Sequence, residues 1–291
     1  MPCYHPLMGY RSKTLSDTGK RPIVFNPNEG YSDMRVELPC GQCIGCRLER
    51  SRQWAIRCVH EAQMHKENCF ITLTFNEENL TKSLVKTDFQ KFMKRLRKRY
   101  PDKKIRYFHC GEYGPLNMRP HHHACLFGHA FNDLEFFKET NGVKIFTSET
   151  LSKIWKKGFV TVGEVTFKSA AYVARYIMKK ITGKDAEQHY KKLGIIPEYT
   201  TMSRRPGIGT DWLKKFNSDV FPFDEVVIRE KIVCRPPKFY DSMFESSDPK
   251  AFADIKKKRL SAARNNRNSI QRLADGELIK SQQLKQLRRD I

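Results

Sequence analysis

Two short runs, IRYFHC at residues 105–110 and HHHACLF at residues 121–127, constrain this chain more than any other feature. The connection between them, GEYGPLNMRP, is rich in glycine and proline, so the runs read as an antiparallel hairpin closed by a long loop. Upstream, CFITLTF (69–75) alternates cleanly: Ile71, Leu73 and Phe75 face one way, Thr72 and Thr74 the other. FVTVGEV (159–165) reads as a further strand. Helical periodicity fills the intervals. From Cys46 to Lys66, Leu48, Ala55, Val59 and Ala62 fall near one face. Thr87-Asp88-Phe89-Gln90 resembles a capping box, opening a helix with Phe89, Phe92, Met93 and Leu96 on one stripe. Ser148 is an N-cap candidate for a short helix at 149–157, and SAAYVARYIMKKI (169–181) reads as a strong helix. Antiparallel strands mixed with helices predict an α+β fold, with helices packed against a sheet.

A length of 291 residues suffices for one sizeable domain with extensions. Residues 1–45 carry turn formers and little periodicity, and read as an irregular arm. The main domain is expected over 46–245, its part from 183 onward loop-rich, followed by a basic tail over 246–291 that is either helical or disordered. There is no internal repeat and no Walker-A pattern, so nothing points to an ATP-driven motor. No apolar run is long enough to span a bilayer and MPCYHPLMGYRSK has no signal-peptide core, so a cytosolic protein without a membrane partner is expected.

Fifty-four Lys and Arg stand against 32 Asp and Glu, a net charge of +22. Such an excess favours a polyanion partner through phosphate neutralisation, without separating DNA from RNA or an enzyme from a coating protein. From Lys250 onward there are 12 basic and 4 acidic residues, suited to non-specific phosphate contact; Arg204 and Arg205 are further candidates. The nine cysteines are an odd number and include Cys40-x-x-Cys43-x-x-Cys46. That spacing offers three thiolates where zinc prefers four ligands; Cys3 is the natural fourth, with His5 or Cys58 as alternatives, and three reduced cysteines without a metal remain the competing reading.

On a strand, His121 and His123 point to one face and His122 to the other. Two imidazoles can share one divalent ion, and Glu112, at the end of the preceding strand, is the candidate third ligand; such a set suits Mg²⁺ or Mn²⁺. On the helix 169–181, Tyr172, Tyr176 and Lys179 fall on one side, while Ala170, Val173, Ala174, Ile177 and Ile181 complete an apolar face without them. A phenol is a poor nucleophile unless helped; a metal polarising a phosphate provides that help, and Lys179 would stabilise the developing charge. Two tyrosines one turn apart would permit two successive transfers.

FITLTF (70–75), GEYG followed by RPHHHACLFG, and YVARYIMKK resemble, in order and spacing, the three motifs of rolling-circle replication initiators of the HUH superfamily. Tyr-x-x-x-Tyr-x-x-Lys looks like the two-tyrosine class of small single-stranded DNA phages, and PCGQCIGCRLERSRQW is similar to initiators of gokushovirus-type microviruses. His122 departs from the pattern, which usually has a bulky apolar residue there. The resemblance implies a five-stranded antiparallel sheet flanked by helices, a metal on His121, His123 and Glu112, and Tyr172 and Tyr176 as nucleophiles. It implies nicking of origin single-stranded DNA in the cytoplasm of a bacterial host, with host helicase and polymerase as partners. Two other readings compete: a zinc-containing protein that coats or packages nucleic acid without cutting it, and a transposase of the same superfamily. A coating protein needs neither the histidine strand nor the tyrosine helix.

Overall fold

The computed structural model describes residues 3–17, 19–114, 117–140, 142–175, 180–181, 186–229, 232–264 and 269–286. The chain divides into two compact units, residues 1–49 with 267–288, and residues 50–266 with 289–291. In the first, β1 (Leu7–Ser12), β2 (Ile23–Val24) and β3 (Gly30–Leu38) form an antiparallel sheet in the order β2-β1-β3. The segment expected to be irregular is therefore partly strand. Both faces of β3 are largely exposed, so no apolar–polar alternation marks it in the sequence. The helix α1 (Ile44–Gln63) follows, with the unit boundary between Glu49 and Arg50.

The second unit is built on a seven-stranded antiparallel sheet. Its elements are β4 (Asn68–Leu73), α2 (Lys86–Arg99), β5 (Arg106–Tyr113), β6 (Pro120–Phe127), β7 (Leu134–Thr140), β8 (Val143–Ser148), α3 (Glu149–Trp155), β9 (Val160–Gly163), α4 (Phe167–Arg175), α5 (Ala186–Leu193) and β10 (Tyr199–Met202). The strand order is β10-β5-β6-β4-β9-β8-β7. The expected hairpin is β5–β6, paired antiparallel from Arg106↔Phe127 to Tyr113↔Pro120. The sheet has two more strands than the resemblance implied. Its far edge, β7, is almost wholly exposed, and β10 pairs with β5 from 86 positions beyond that strand's end.

The pleat sorts the core into two layers. Ile71, Leu73, Ala124 and Leu126 face α2 and α3, where Phe89, Phe92, Met93, Leu96, Leu151 and Trp155 are buried. Phe70, Phe108, Cys110, Cys125 and Phe127 face α1 and α4, meeting Ala55, Cys58, Ala170, Val173 and Ala174. The α2 stripe is buried as its spacing predicts, but Thr87 is not a cap. The helix starts two residues earlier, at Lys86 after an N-cap at Val85, with no side-chain cap bond. Leu84, buried and donating its N–H to the Tyr113 hydroxyl, fixes the entry there; Asp88 instead pairs with Lys157. Ser148 does cap α3, accepting from the Leu151 N–H at 3.0 Å.

The face of α1 also differs from expectation. Leu48, Val59 and Ala62 are half-buried, whereas Ile56, His60 and Glu61 are buried with Ala55 and Cys58. Within the second unit the helix is covered on two sides, by the sheet layer and by a cluster from α6 (Thr210–Val220) and the elements after it. Residues 183–245, expected to be loop-rich, carry regular structure over much of their length: α5, β10, α6, a hairpin of β11 (Val226–Arg229) and β12 (Ile232–Cys234), and α7 (Lys238–Ser247). The basic C-terminal region contains α8 (Pro249–Arg264), which buries Phe252 and Ile255, and α9 (Ile270–Gln286), which belongs to the first unit. No described helix is long and apolar enough to cross a membrane.

Candidate active site

The β5–β6 register puts Glu112 directly opposite His121, and His123 two residues further along the same face. Three ligand atoms converge as a result. His121 Nε2 lies 2.6 Å and His123 Nε2 3.1 Å from the same Glu112 oxygen, Oε1. The donors of these three residues all lie within 4.8 Å of one another. Glu112 is 1% exposed. Burial alone would push its carboxyl up, but the bonds and charge from His121 and His123 outweigh it and hold the pKa at about 2. The site therefore presents an ionised carboxylate and two imidazoles on one rigid hairpin.

Each imidazole is also held at its other nitrogen. His121 Nδ1 donates to the Arg119 carbonyl at 3.1 Å. That carbonyl is positioned in turn, because the Arg119 guanidinium bonds Glu77 at 2.6 Å and the Phe75 carbonyl at 3.1 Å. Across β4–β6 the register sets Thr72 opposite His123, and Thr72 Oγ1 lies 2.9 Å from His123 Nδ1. A carbonyl can only accept, so with an ion bound at Nε2 the His121 proton would sit on Nδ1, and the Arg119 carbonyl would keep the ring turned so that Nε2 faces inward. This is the outer-shell pattern that orients metal-binding histidines. Two imidazole nitrogens and one carboxylate oxygen within 4.8 Å of one another could hold a divalent metal ion.

His122 points the other way, between Phe75, Phe89 and Trp155. It stands 3.1 Å from His109, which lies 2.8 Å from Thr201 on β10. Burial pushes the His122 pKa down to about 3, so it is a neutral part of the opposite layer and shares no face with the candidate ligands.

The helix α4 lies over the ligand face. Tyr172 is half-buried, its ring edge-on to His123 at 5.1 Å and to Phe70 at 6.3 Å. Ala170, Val173 and Ala174 are buried as expected, with the Tyr172 ring packed at the margin of that layer, whereas Ile181, expected on the same apolar face, is exposed and not helical, and Ile177 lies outside the described residues. Tyr176 and Lys179 lie outside the described residues. Sequence reasoning had not singled out Thr72 or the Arg119 carbonyl; the signal for Thr72 was its place on the polar face of CFITLTF.

In the first unit, the Sγ atoms of Cys3, Cys40, Cys43 and Cys46 lie within 4.8 Å of one another. Cys58 is buried in the sheet core with Cys125, and His5 pairs with Glu277 at 2.6 Å.

Residues 68–181 match the family model described as replication-associated protein ORF2/G2P. The chain is 37% identical to the replication-associated protein ORF2 of Spiroplasma virus 4 over 235 residues, covering 76% of this chain and 71% of that protein. It is 33% identical to the replication-associated protein VP4 of Bdellovibrio phage phiMH2K over 227 residues, covering 75% and 70%. The chain belongs to this family of replication-associated proteins. A third member, the replication-associated protein ORF4 of Chlamydia phage 1, is 35% identical over 173 residues, 55% of this chain and 43% of that one. No solved structure matches it. The family match runs from β4 to beyond α4 and contains Glu112, His121, His123, Tyr172, Tyr176 and Lys179; the four clustered cysteines fall outside it.

Proposed function

We propose that this replication-associated protein is an endonuclease that nicks single-stranded DNA at a replication origin and holds the cut strand as a 5′-phosphotyrosine. The observation that carries the reading is the convergence of Glu112, His121 and His123 on one sheet face, with the Tyr172 ring 5.1 Å from His123 on the helix covering that face. The net charge of +22 suits a polyanionic substrate.

Glu112, His121 and His123 would hold Mg²⁺ or Mn²⁺. Such an ion supplies charge neutralisation at the oxygens of the scissile phosphate. Arg119 and Thr72 keep the two imidazoles aimed. The phenol oxygen of Tyr172 or Tyr176 attacks phosphorus; a tyrosyl O–P bond forms as the P–O3′ bond breaks. The phenol proton is given up to solvent and the departing 3′ oxygen takes one, leaving a free 3′ hydroxyl. One phosphodiester replaces another, so rejoining needs no nucleotide hydrolysis. Tyr176, four positions beyond Tyr172 in the sequence, would allow a second transfer while the first tyrosine still carries DNA, and Lys179 would offset the charge developing on the phosphate. The free 3′ end would prime rolling-circle synthesis by a host polymerase with a host helicase, in the cytoplasm of a bacterial host.

The test is a denaturing gel of labelled single-stranded DNA carrying candidate origin sequence, with Mn²⁺ or with EDTA. A cleaved strand and a slower protein–DNA adduct are expected, both lost with EDTA and in the Tyr172→Phe, Tyr176→Phe double variant. Tight binding without cleavage of any phage-derived strand would overturn the proposal in favour of a protein that coats DNA.

A further inference from the structure

The four cysteines take no part in the chemistry above, and the unit that carries them has a folding problem of its own. Its three strands leave most side chains exposed or half-exposed, and among its described residues only Tyr4 and Cys43 are buried apolar groups. The helix α9 buries no residue at all. Ordering a backbone costs roughly 1–2 kcal/mol per residue. A small unit with so little apolar burial cannot offset that from a core, and such units rely on disulfides or a bound metal.

The geometry distinguishes these two. The Sγ atoms of Cys3 and Cys43 are 3.9 Å apart. A disulfide requires about 2.05 Å, whereas a tetrahedral zinc ion with Zn–S bonds of about 2.3 Å sets its sulfurs about 3.8 Å apart. Backbone amides are also aimed at the sulfurs. The N–H groups of Gln42 and Cys43 point at Cys40 Sγ (3.4 and 3.3 Å), that of Cys40 at Cys3 Sγ (3.2 Å) and that of Tyr4 at Cys43 Sγ (3.3 Å). Such donors favour charged thiolates over neutral thiols. The turn that delivers two of them needs Gly41, whose φ is +75°. Cys46 sits in the first turn of α1, at the positive end of the helix dipole.

We propose that Cys3, Cys40, Cys43 and Cys46 hold a structural zinc ion that is the principal stabiliser of the N-terminal unit. Four protein sulfurs complete the coordination shell, so no position is left for a substrate. Each thiol releases its proton to solvent on binding, and no electron is transferred. Joining Cys3 to Cys40 closes 37 positions of chain around β1–β3, which restricts the unfolded state as a covalent cross-link does. It also fixes Tyr4, whose ring lies against Gly276 of α9, and His5, whose Nε2 meets Glu277 of the same helix at 2.6 Å.

The test uses the full chain, purified under reducing conditions from zinc-replete cells and dialysed against EDTA to strip weakly held ions. Elemental analysis is expected to find one zinc per chain, kept in a His121→Ala, His123→Ala variant and released by a mercurial that caps thiols. Cobalt replacing the zinc is expected to give the sulfur-to-metal absorption and strong visible bands of a tetrahedral thiolate site. On release, amide exchange in β1–β3 is expected to quicken about tenfold or more while the β5–β6 amides hold. Because a cysteine variant could simply misfold, these wild-type readouts decide the matter. Absence of stoichiometric zinc, iron with acid-labile sulfide in its place, zinc lost with the two histidines, or unchanged exchange after release would each overturn the proposal.

Discussion

At the scale of single residues, position is set by partners two shells deep. Thr72 offers His123 a hydroxyl at 2.9 Å, and only its place on the polar face of CFITLTF marks it in the sequence. Replacing it with valine keeps the shape and removes the hydroxyl. Thr72→Val is expected to weaken Mn²⁺ binding about 10–100-fold, read by calorimetry and by the Mn²⁺ dependence of cleavage, with circular dichroism unchanged; unaltered affinity would mean that packing alone orients His123. Its importance was illegible in the sequence because it depends on which strand lies beside β6, a fact of topology. The opposed directions of His121 and His122, by contrast, follow from strand alternation alone. Glu61 gives a second case. Burial would push its carboxyl up, but bonds from His65, the Gly209 N–H and Arg106, with the charge of Arg106, hold it below its ordinary 4.5. Ionised Glu61 therefore stabilises the fold above that pH, and the contribution fades as acid carries the pH down through the lowered folded value. The stability gap between wild type and Glu61→Gln, from denaturant titrations, is expected to be widest near neutrality and to narrow below about pH 4.5; a gap constant with pH would deny the carboxylate that role.

At the scale of elements, legibility follows burial. The strands β4, β5 and β6 were readable because both their faces meet apolar layers, and β9 because Val160 and Val162 bury one face, as were the stripes of α2 and the buried part of α4. β3 and β7 were not, since exposed side chains on both faces erase the period of two. β10 is four residues long and exists as a strand because β5 offers it an edge. Capping shows the same split. The Thr87 motif loses to the anchoring of Leu84 by Tyr113, a tertiary contact, while Ser148 works because strand β8 ends directly at the helix. Ser148 Oγ accepts the Leu151 N–H and itself donates to Asp133 at 2.7 Å. Ser148→Ala is expected to cost about 1 kcal/mol, a fall in Tm of about 2–4 °C for a unit of this size. An unchanged Tm would mean that Asp133, which accepts from the Thr150 N–H, caps α3 unaided.

At the scale of the whole molecule, the sheet and its layers set the hairpin that carries Glu112, His121 and His123 under the helix that carries Tyr172. The α+β class and the ordered motifs were legible, and the family match covers the same stretch. The proposed role of Tyr176 as a second nucleophile rests on spacing alone. In the proposed chemistry Tyr172 of α4, or Tyr176 after it in the sequence, becomes bonded to DNA. The most direct measurement is to trap the adduct with Mn²⁺, digest it with nuclease and protease, and locate the residual nucleotide by tandem mass spectrometry. A 5′-nucleotide mass is expected on Tyr172 or Tyr176, and none when EDTA replaces Mn²⁺. A nucleotide on any other residue, or on no residue while the strand is cut, would contradict that chemistry.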